Sequence, residues 1–412
     1  MKKFIYALVS PFAIGLCLCG NPGTSLDQQA NDRMNEIIKA QNAVGLSVAV
    51  VKNNKLVYAE GFGYKNLSDS TLITSDDLFR IASVSKSFTA VAIMQLYEQG
   101  AFDLDEDISD AFGMVVRNPN YPEIPITYRM LLSHRSSLND NAGYFSFDVI
   151  DSQTNKEYAR AYNDYAPGTE YEYCNLGFNI LGALVEVHSG ERFDHYMENH
   201  IIKPLHLKGG FNVDQLNREQ FVTLYAFRRG EPFASPEAYS SRAAQLENYT
   251  LGRDAIIFSP AGGMKIAPKD LATYMLVHIN SGTYNGVQIL QPQSAVLMQI
   301  PYNLQPSPYK SQTEPAEIDP NTLSPTRSGL LDGDYYGLAL ATTDKLIEGE
   351  ILTGHTGSSY GLYSAMFFNP EKRYGIIMMT NGYPTQRDEN DLITIQVDVI
   401  RALYEIFIQG GK

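Results

Sequence analysis

The pattern of apolar and polar residues predicts strands near both ends of the chain and helices between them. Residues 45–52 and 56–61 are apolar runs joined by Asn53 and Asn54, a pair that favours a tight hairpin turn. Strand-like runs return only near the other end, at residues 337–343, 350–354, 363–368 and 373–380. The two ends of the chain are therefore expected to meet in one lobe.

Apolar residues also recur at helical spacing in several segments. The predicted helices cover residues 25–42, 83–100, 176–189, 268–281 and a last segment from residue 391. Residues 301–329 are rich in proline, serine and threonine without periodicity, which indicates a long surface loop. We expect an α/β lobe from residues 25–82 and 331–412, a mainly helical lobe from residues 83–330, and a cleft between the two.

Charge and cysteine content narrow the function classes. The chain has 412 residues and a formal net charge of −14. No basic run longer than Arg228-Arg229 occurs, which argues against a nucleic-acid partner. Two of the three cysteines lie in the first 20 residues. If that segment is removed, Cys174 remains alone and no intramolecular disulfide can form.

Residues 1–20 have the features of an export signal. Two lysines near the start precede an apolar stretch, residues 4–19, that is too short and too interrupted to span a membrane. We therefore predict a periplasmic or secreted protein whose single catalytic domain covers residues 25–412. A lipid anchor at Cys17 or Cys19 stays open as an alternative.

The candidate chemistry begins with Ser83 and Lys86, three residues apart where an apolar helix starts. On a helix this spacing puts the hydroxyl and the amine on one face, one turn apart. A serine hydroxyl is a poor nucleophile until a neighbour takes its proton, and a buried amine can take it. On this motif alone, a helix-capping serine beside a surface lysine is the better interpretation.

Tyr173 and Asn175 favour a catalytic role for Ser83 and Lys86 over the capping interpretation. A phenol near an ammonium has its phenolate stabilised, so Tyr173 could move protons to and from a serine. The Asn175 amide could bond to Lys86 and to a substrate carbonyl. The plainer alternative for the pair is an ordinary turn before a helix.

A third segment, His355-Thr356-Gly357-Ser358, lies between two strand-like runs. Glycine at position 357 would let substrate approach the backbone closely, and the next N–H, from Ser358, could donate to an oxyanion. The plainer alternative is a histidine at the end of a strand, beside a turn.

Three rival interpretations are set aside. A second Ser-x-x-Lys copy begins at Ser307, but it lies in the proline-rich loop without an apolar helix to fix it. Ser359 fits a nucleophile-elbow pattern, yet no histidine follows it in the chain, as that hydrolase fold requires. His188, His195 and His200 are not spaced to share one helix face, so no metal is expected.

Taken in order, these segments resemble the serine β-lactamase and penicillin-binding-protein superfamily, specifically its class C-like branch. The matching stretches are residues 61–64, 79–86, 131–138, 167–169, 173–175, 260–264 and 354–357. The resemblance extends from about residue 30 to the C-terminus. It implies a β-lactamase/transpeptidase-like α/β (α+β) fold, in which terminal helices flank an antiparallel sheet and a helical lobe is inserted.

The resemblance also implies a role for each matching residue. Ser83 would be acylated, Lys86 would be its proton partner, and Tyr173 would act as general base and acid. Which of the two is the true base stays open, because coupled groups share the proton. The implied substrate contacts are Asn175, His355, Thr356 and Gly357, with the N–H groups of Ser83 and Ser358 as the oxyanion hole.

One departure from the class C pattern bears on function. His355 stands where those β-lactamases carry lysine, and a mostly neutral imidazole holds a carboxylate less firmly than an ammonium does. We therefore expect a D,D-carboxypeptidase- or esterase-like hydrolase without a cofactor, acting on D-alanyl stem peptides of peptidoglycan or on small esters. A β-lactamase is the alternative enzyme, and a catalytically silent peptidoglycan-binding paralogue is the alternative of another class.

Overall fold

The computed structural model describes residues 25–304 and 335–410. Its α-helices are α1 (Leu26–Gln41), α2 (Ser85–Glu98), α3 (Ile108–Phe112), α4 (Tyr128–Leu132), α5 (Asn175–Ser189), α6 (Phe193–Met197), α7 (Ala243–Leu246), α8 (Pro268–Ile279), α9 (Pro292–Gln299) and α10 (Thr394–Leu403). Its strands are β1 (Gly45–Lys52), β2 (Lys55–Asn66), β3 (Thr71–Leu72), β4 (Phe79–Arg80), β5 (Gly209–Gly210), β6 (Tyr225–Arg228), β7 (Glu231–Ala234), β8 (Lys265–Ile266), β9 (Thr283–Tyr284), β10 (Val287–Gln288), β11 (Ala341–Thr343), β12 (Leu352–Ser359), β13 (Leu362–Asn369) and β14 (Tyr374–Gly382).

The main sheet joins the two ends of the chain. Its strand order is β11-β12-β13-β14-β1-β2-β3, with antiparallel pairing between neighbours throughout. The first strand lies against the last one, with Ala49 opposite Ile377. This arrangement confirms the predicted mixed α/β fold with an antiparallel sheet and terminal helices.

Alternation along β1 explains why both faces of the sheet are covered. Successive side chains of a strand point to opposite faces. Val48 and Val50 belong to the core under α1 and α10, whereas Ala49 and Val51 belong to the larger core on the other face. Because all four are fully buried, residues 48–51 form an uninterrupted apolar run that needs cover on both faces of the sheet.

The predicted boundary between the lobes differs at α8 and at the β6–β7 hairpin, which joins the main sheet by pairing β6 with β14. Residues 268–281 were expected in the helical lobe, but α8 packs on the sheet against β1, β2 and β14. Its buried face, which includes Leu271 and Met275, covers the side of the sheet opposite α1. The buried pair α2 and α5 forms the centre of the helical part instead.

Several local predictions are confirmed in detail. Ser25 caps α1 by accepting a hydrogen bond from the Gln28 N–H, and Asn53 and Asn54 both have positive φ in the β1–β2 turn. β12 is longer than predicted, because it continues past Gly354 to Ser359.

The export signal, Ser307 and most of the predicted 301–329 loop lie outside the described residues. None of the described helices combines the length and apolar character needed to cross a membrane.

Candidate active site

Ser83 lies in a tight turn at the start of α2. The segment Ala82–Val84 is a 3₁₀ turn, and the α-helix proper begins at Ser85. Ala82 has φ +44°, a left-handed conformation that is costly for alanine and must be imposed by its surroundings. The turn points the partly exposed Ser83 out of the helix start, while the next residues are buried.

Strands β12 and β13 hold this turn in place. The Ser364 hydroxyl on β13 donates to the Ile81 carbonyl at 2.8 Å. Gly357 on β12 lies so close that a Cβ there would be 2.3 Å from the Ile81 oxygen and 3.1 Å from the Ser83 nitrogen. The glycine of the predicted His-Thr-Gly segment therefore makes room for the nucleophile turn as well as for substrate.

Lys86 lies one helical turn after Ser83 and is completely buried. Its ammonium group donates to Asn175 Oδ1 at 2.7 Å and to the Ala261 carbonyl at 2.8 Å, and it is 3.2 Å from Ser83 Oγ. Burial lowers the pKa of Lys86 to about 7, although the nearby charge of Asp140 opposes this shift. A large share of the amine is therefore neutral near pH 7.

Asp140 fixes the orientation of Asn175. Its carboxylate accepts hydrogen bonds from Asn175 Nδ2 at 2.8 Å and from the backbone N–H groups of Asn175 and Leu176. Because a carboxylate only accepts, the amide nitrogen must face Asp140 and the amide oxygen must face Lys86. The same contacts cap the start of α5.

Tyr173 lies beside the Lys86 amine. The Lys86 nitrogen is 4.8 Å from the centre of the Tyr173 ring, and the ring centres of His134 and Tyr173 are 4.3 Å apart. Burial raises the pKa of Tyr173, and its proximity to the Ser83 hydroxyl opposes that rise, although no well-aligned hydrogen bond joins the two groups. Tyr173 is therefore a neutral phenol that can give a proton.

His355 lies beside Tyr173, with the two ring centres 6.1 Å apart. The ring is fully buried, with Nδ1 against the Thr356 carbonyl and Nε2 3.0 Å from the Tyr336 hydroxyl. Burial, together with the Lys86 charge, lowers the pKa of His355 to about 3. A neutral ring with both nitrogens engaged cannot grip a substrate carboxylate, so the expected contact needs another residue.

A cleft opens over these groups. Ser83, Asn175 and Ser358 line it together, and Tyr360 extends the same wall. Lys86 lies beneath its floor, while Thr356 is partly buried on the same strand. The structure thus brings Ser83, Lys86, Tyr173 and Asn175 together, and His355 is buried beside Tyr173 rather than in the lining of this cleft.

Some contributors to the site could not be found in the sequence. Asp140 and Tyr336 hold Asn175 and His355 from distant loops, and the Ala261 carbonyl completes the Lys86 contacts. Cys174 is buried, and burial raises the pKa of its thiol well above the usual value, which does not suit a nucleophile. Within the described part of the chain, no cluster of His, Cys, Asp or Glu side chains could hold a metal ion.

Comparison with known proteins identifies the family of this chain. The chain matches the family model described as Beta-lactamase over residues 30–399. It is 23% identical over 369 residues to Protein flp of Staphylococcus aureus (strain N315), which covers 87% of this chain and 64% of that protein. The chain therefore spans less than two thirds of that relative.

Two further proteins are similar along most of their length. Penicillin-binding protein 4 of Amycolatopsis lactamdurans is 26% identical over 363 residues, covering 85% of this chain and 84% of that one. The crystal structure of D-amino acid amidase from Ochrobactrum anthropi SV3, complexed with L-phenylalanine amide, has a TM-score of 0.68 at 20% identity, covering 94% of this chain and 100% of the amidase. At that identity the structural likeness shows a shared fold alone.

Proposed function

This chain belongs to the beta-lactamase family, and from that premise we propose that it hydrolyses amide or ester bonds through an acyl-enzyme on Ser83. The family assignment supports a serine hydrolase. The nucleophile, the base and the substrate class are proposals that rest on the geometry of the site.

The observation that carries the proposal is the set of contacts around Lys86. A neutral amine has two N–H bonds and one lone pair. Asn175 Oδ1 and the Ala261 carbonyl oxygen only accept hydrogen bonds, so they take the two N–H groups. The lone pair then faces Ser83 Oγ, and Lys86 can accept the hydroxyl proton as that oxygen attacks a carbonyl.

The remaining steps use groups already in place. The N–H groups of Ser83 and Ser358 would stabilise the oxyanion of the tetrahedral intermediate. Tyr173, a neutral phenol beside the amine, would pass the proton to the leaving group. Water would then attack the acyl-enzyme with the same groups acting in reverse.

Strand β12 supports a peptide as the substrate. Among the described residues, β11 pairs only with Leu352, Thr353 and Gly354, and further along the same strand Ser358 and Ser359 line the cleft. An extended peptide can add to such an edge through backbone hydrogen bonds. We therefore propose D-alanyl peptides as the leading substrates, with small esters next.

The test is labelling and turnover with defined probes. We expect a fluorophosphonate to form one adduct, mapped to Ser83, and we expect release of D-alanine from a peptide ending in D-alanyl-D-alanine. Ser83→Ala should abolish both, while Ser307→Ala, which removes the serine of the second Ser-x-x-Lys copy, should change neither. An adduct elsewhere, or full turnover by Ser83→Ala, would overturn the proposal.

Reaction with penicillin distinguishes the three candidate functions. The relative from Amycolatopsis is named a penicillin-binding protein, which supports the choice of this probe. A long-lived penicilloyl adduct on Ser83 would agree with a peptidase. Rapid turnover of penicillin would instead favour a β-lactamase, and no reaction with any probe would favour a silent binding paralogue.

We also propose that the chain is exported, on the basis of the basic and apolar pattern of residues 1–20. Intact mass of the protein recovered from a bacterial host tests this directly. Loss of about the first 20 residues would agree with cleavage. An added lipid mass that disappears in Cys17→Ala or Cys19→Ala would identify an anchor, and a full-length, unmodified chain would contradict export.

A further inference from the structure

Two arginines line one end of the active-site cleft. Arg80 and Arg242 both contact the cavity that opens on Ser83. Among the described residues, neither guanidinium forms an ion pair with a carboxylate. Two like charges in a partly enclosed cavity are unfavourable unless a ligand compensates them.

The Arg80 guanidinium is held in a fixed orientation. Its Nε donates to the Gly262 carbonyl at 2.9 Å, and its central carbon lies 5.3 Å from the centre of the Tyr360 ring. Within residues 25–304 and 335–410, its two terminal NH₂ groups have no hydrogen-bond partner. Burial, and to a lesser extent the charge of Arg242, lower the pKa of Arg80, which agrees with two cations that are close together and partly desolvated.

The position of the proton-transfer groups decides which part of a substrate enters this end. The leaving group must receive a proton, so it lies toward Tyr173 and Lys86. Neither residue lines the cavity that contains the arginines, whose walls also include Ser358, Tyr144 and Phe145. This end of the cleft therefore receives the acyl portion of the substrate.

We propose that Arg80, assisted by Arg242, binds a carboxylate on the acyl portion of the substrate. A planar guanidinium with two free NH₂ groups matches the two oxygens of a carboxylate. The inference rests on the proposed acyl transfer to Ser83 and deepens it. It gives the site a carboxylate-binding residue in a different place from His355.

Two matched p-nitroanilides test the inference. N-succinyl-D-alanyl p-nitroanilide carries the carboxylate, and the N-succinamoyl analogue replaces it with an amide of nearly the same shape. We expect kcat/KM to be roughly 10- to 100-fold higher for the carboxylate in the natural protein, the range of a charge-assisted hydrogen bond. A ratio near one or below it, with the amide still turned over, would overturn the inference and leave the proposed function standing.

Variants assign the preference to the arginines. Arg80→Gln should bring the ratio close to one, Arg242→Gln should lower it in part, and Arg80→Lys should keep more of it than Arg80→Gln does. Arg229→Gln, which removes the same charge from an exposed turn, should leave the ratio unchanged. Equal losses on both substrates in Arg80→Gln and Arg242→Gln would indicate a structural role and contradict the inference. Failure of the natural protein to cleave either substrate would count against the proposed function and the inference together.

Discussion

At the scale of single residues, burial makes the Lys86 amine a usable base near neutral pH. Burial lowers its pKa to about 7, so the neutral fraction increases as the pH rises through that value. We expect kcat/KM for an activated ester to rise with pH and to level off above about pH 8. Initial rates from about pH 5.5 to 9.5 measure this. A rise that begins only at the alkaline end would point to the Tyr173 phenolate, because burial raises the pKa of that group.

Asp140→Asn provides the control for that pH profile. The Asp140 charge raises the pKa of Lys86, so its removal should move the rising limb to lower pH. Asn keeps the size of the side chain, and its one amide oxygen can still accept from the two Asn175 N–H groups, while the Leu176 N–H loses its acceptor. Asp32→Asn, on the exposed face of α1, should leave the limb in place. If kcat/KM of Asp140→Asn rose at the same pH as in the natural protein, the assignment of this rise to Lys86 would be contradicted.

Lys86 and Tyr173 should also behave as one unit in kinetics. The amine is 3.2 Å from Ser83 Oγ and 4.8 Å from the Tyr173 ring centre, and we propose that both groups serve the same proton. We expect Lys86→Ala and Tyr173→Phe each to lower kcat/KM by roughly 10²- to 10⁴-fold, and the double variant to lose little more. Thermal unfolding of each variant checks that the fold is kept. If the fold-losses in kcat/KM of the two single variants multiplied in the double variant, Lys86 and Tyr173 would have independent roles.

The residues of the site differ in how far the sequence could predict them. Ser83 and Lys86 were predicted to be neighbours because three-residue spacing on a helix brings side chains together. The approach of Asn175 to Lys86 was a hypothesis from ordered motifs, and the structure shows that contact. Asp140 could not be predicted, because its contact depends on how a loop 35 residues before Asn175 folds back.

At the scale of elements, the contact between β12 and the nucleophile turn depends on Gly357. A Cβ at this position would be 2.3 Å from the Ile81 carbonyl and 2.4 Å from the Ser364 hydroxyl, so the strand or the turn would have to move. We expect Gly357→Ala to lower kcat/KM at least tenfold, since a displacement of about 1 Å at a reacting group costs this much or more. Fluorophosphonate labelling rates and kcat/KM measure the effect.

Gly210→Ala is the matched control. Gly210 is also buried in a strand, but a Cβ there would meet only Leu216, at an ordinary 3.5 Å. Activity and stability should both stay close to those of the natural protein. If Gly357→Ala were as active as Gly210→Ala, the contact between the strand and the turn would not position Ser83.

The elements near the termini were predictable because their patterns are local. The β1–β2 hairpin and the capped helix α1 follow from turn and capping residues next to apolar runs. The end of β12 was placed too early, since residues 355–359 are mostly small or polar and resemble a turn. Their pairing with β13, such as Ser358 opposite Tyr363, is set by the sheet and not by their own propensity.

At the scale of the whole molecule, three buried histidines link stability to pH. Burial lowers the pKa of His134, His278 and His355 below the usual value of 6.5. In the unfolded chain these rings bind protons below about pH 6.5, while in the folded chain they stay neutral. The unfolded state therefore binds more protons, and the free energy of unfolding decreases as the pH falls below that value.

His278 isolates this effect because it lies far from the proposed chemistry. The ring is buried at the end of α8, stacked on Phe368 of β13 with ring centres 5.9 Å apart, and desolvation lowers its pKa to about 4. Its contribution to stability is complete above about pH 6.5 and declines between that pH and about 4. One pH unit below 6.5, this contribution has decreased by about 1.4 kcal/mol.

His278→Leu has a side chain of similar size without a titrating group. We therefore expect its free energy of unfolding to decrease, between pH 7.5 and 5.5, by about 1.4 kcal/mol less than that of the natural protein. Urea unfolding at the two pH values measures this, with kcat/KM at pH 7.5 as a check on the active site. His206→Asn is the control, because His206 is exposed and has a positive φ that asparagine tolerates. This control should keep the pH dependence of the natural protein. Equal losses in His278→Leu and the natural protein would show that the ring is protonated inside the fold at pH 5.5.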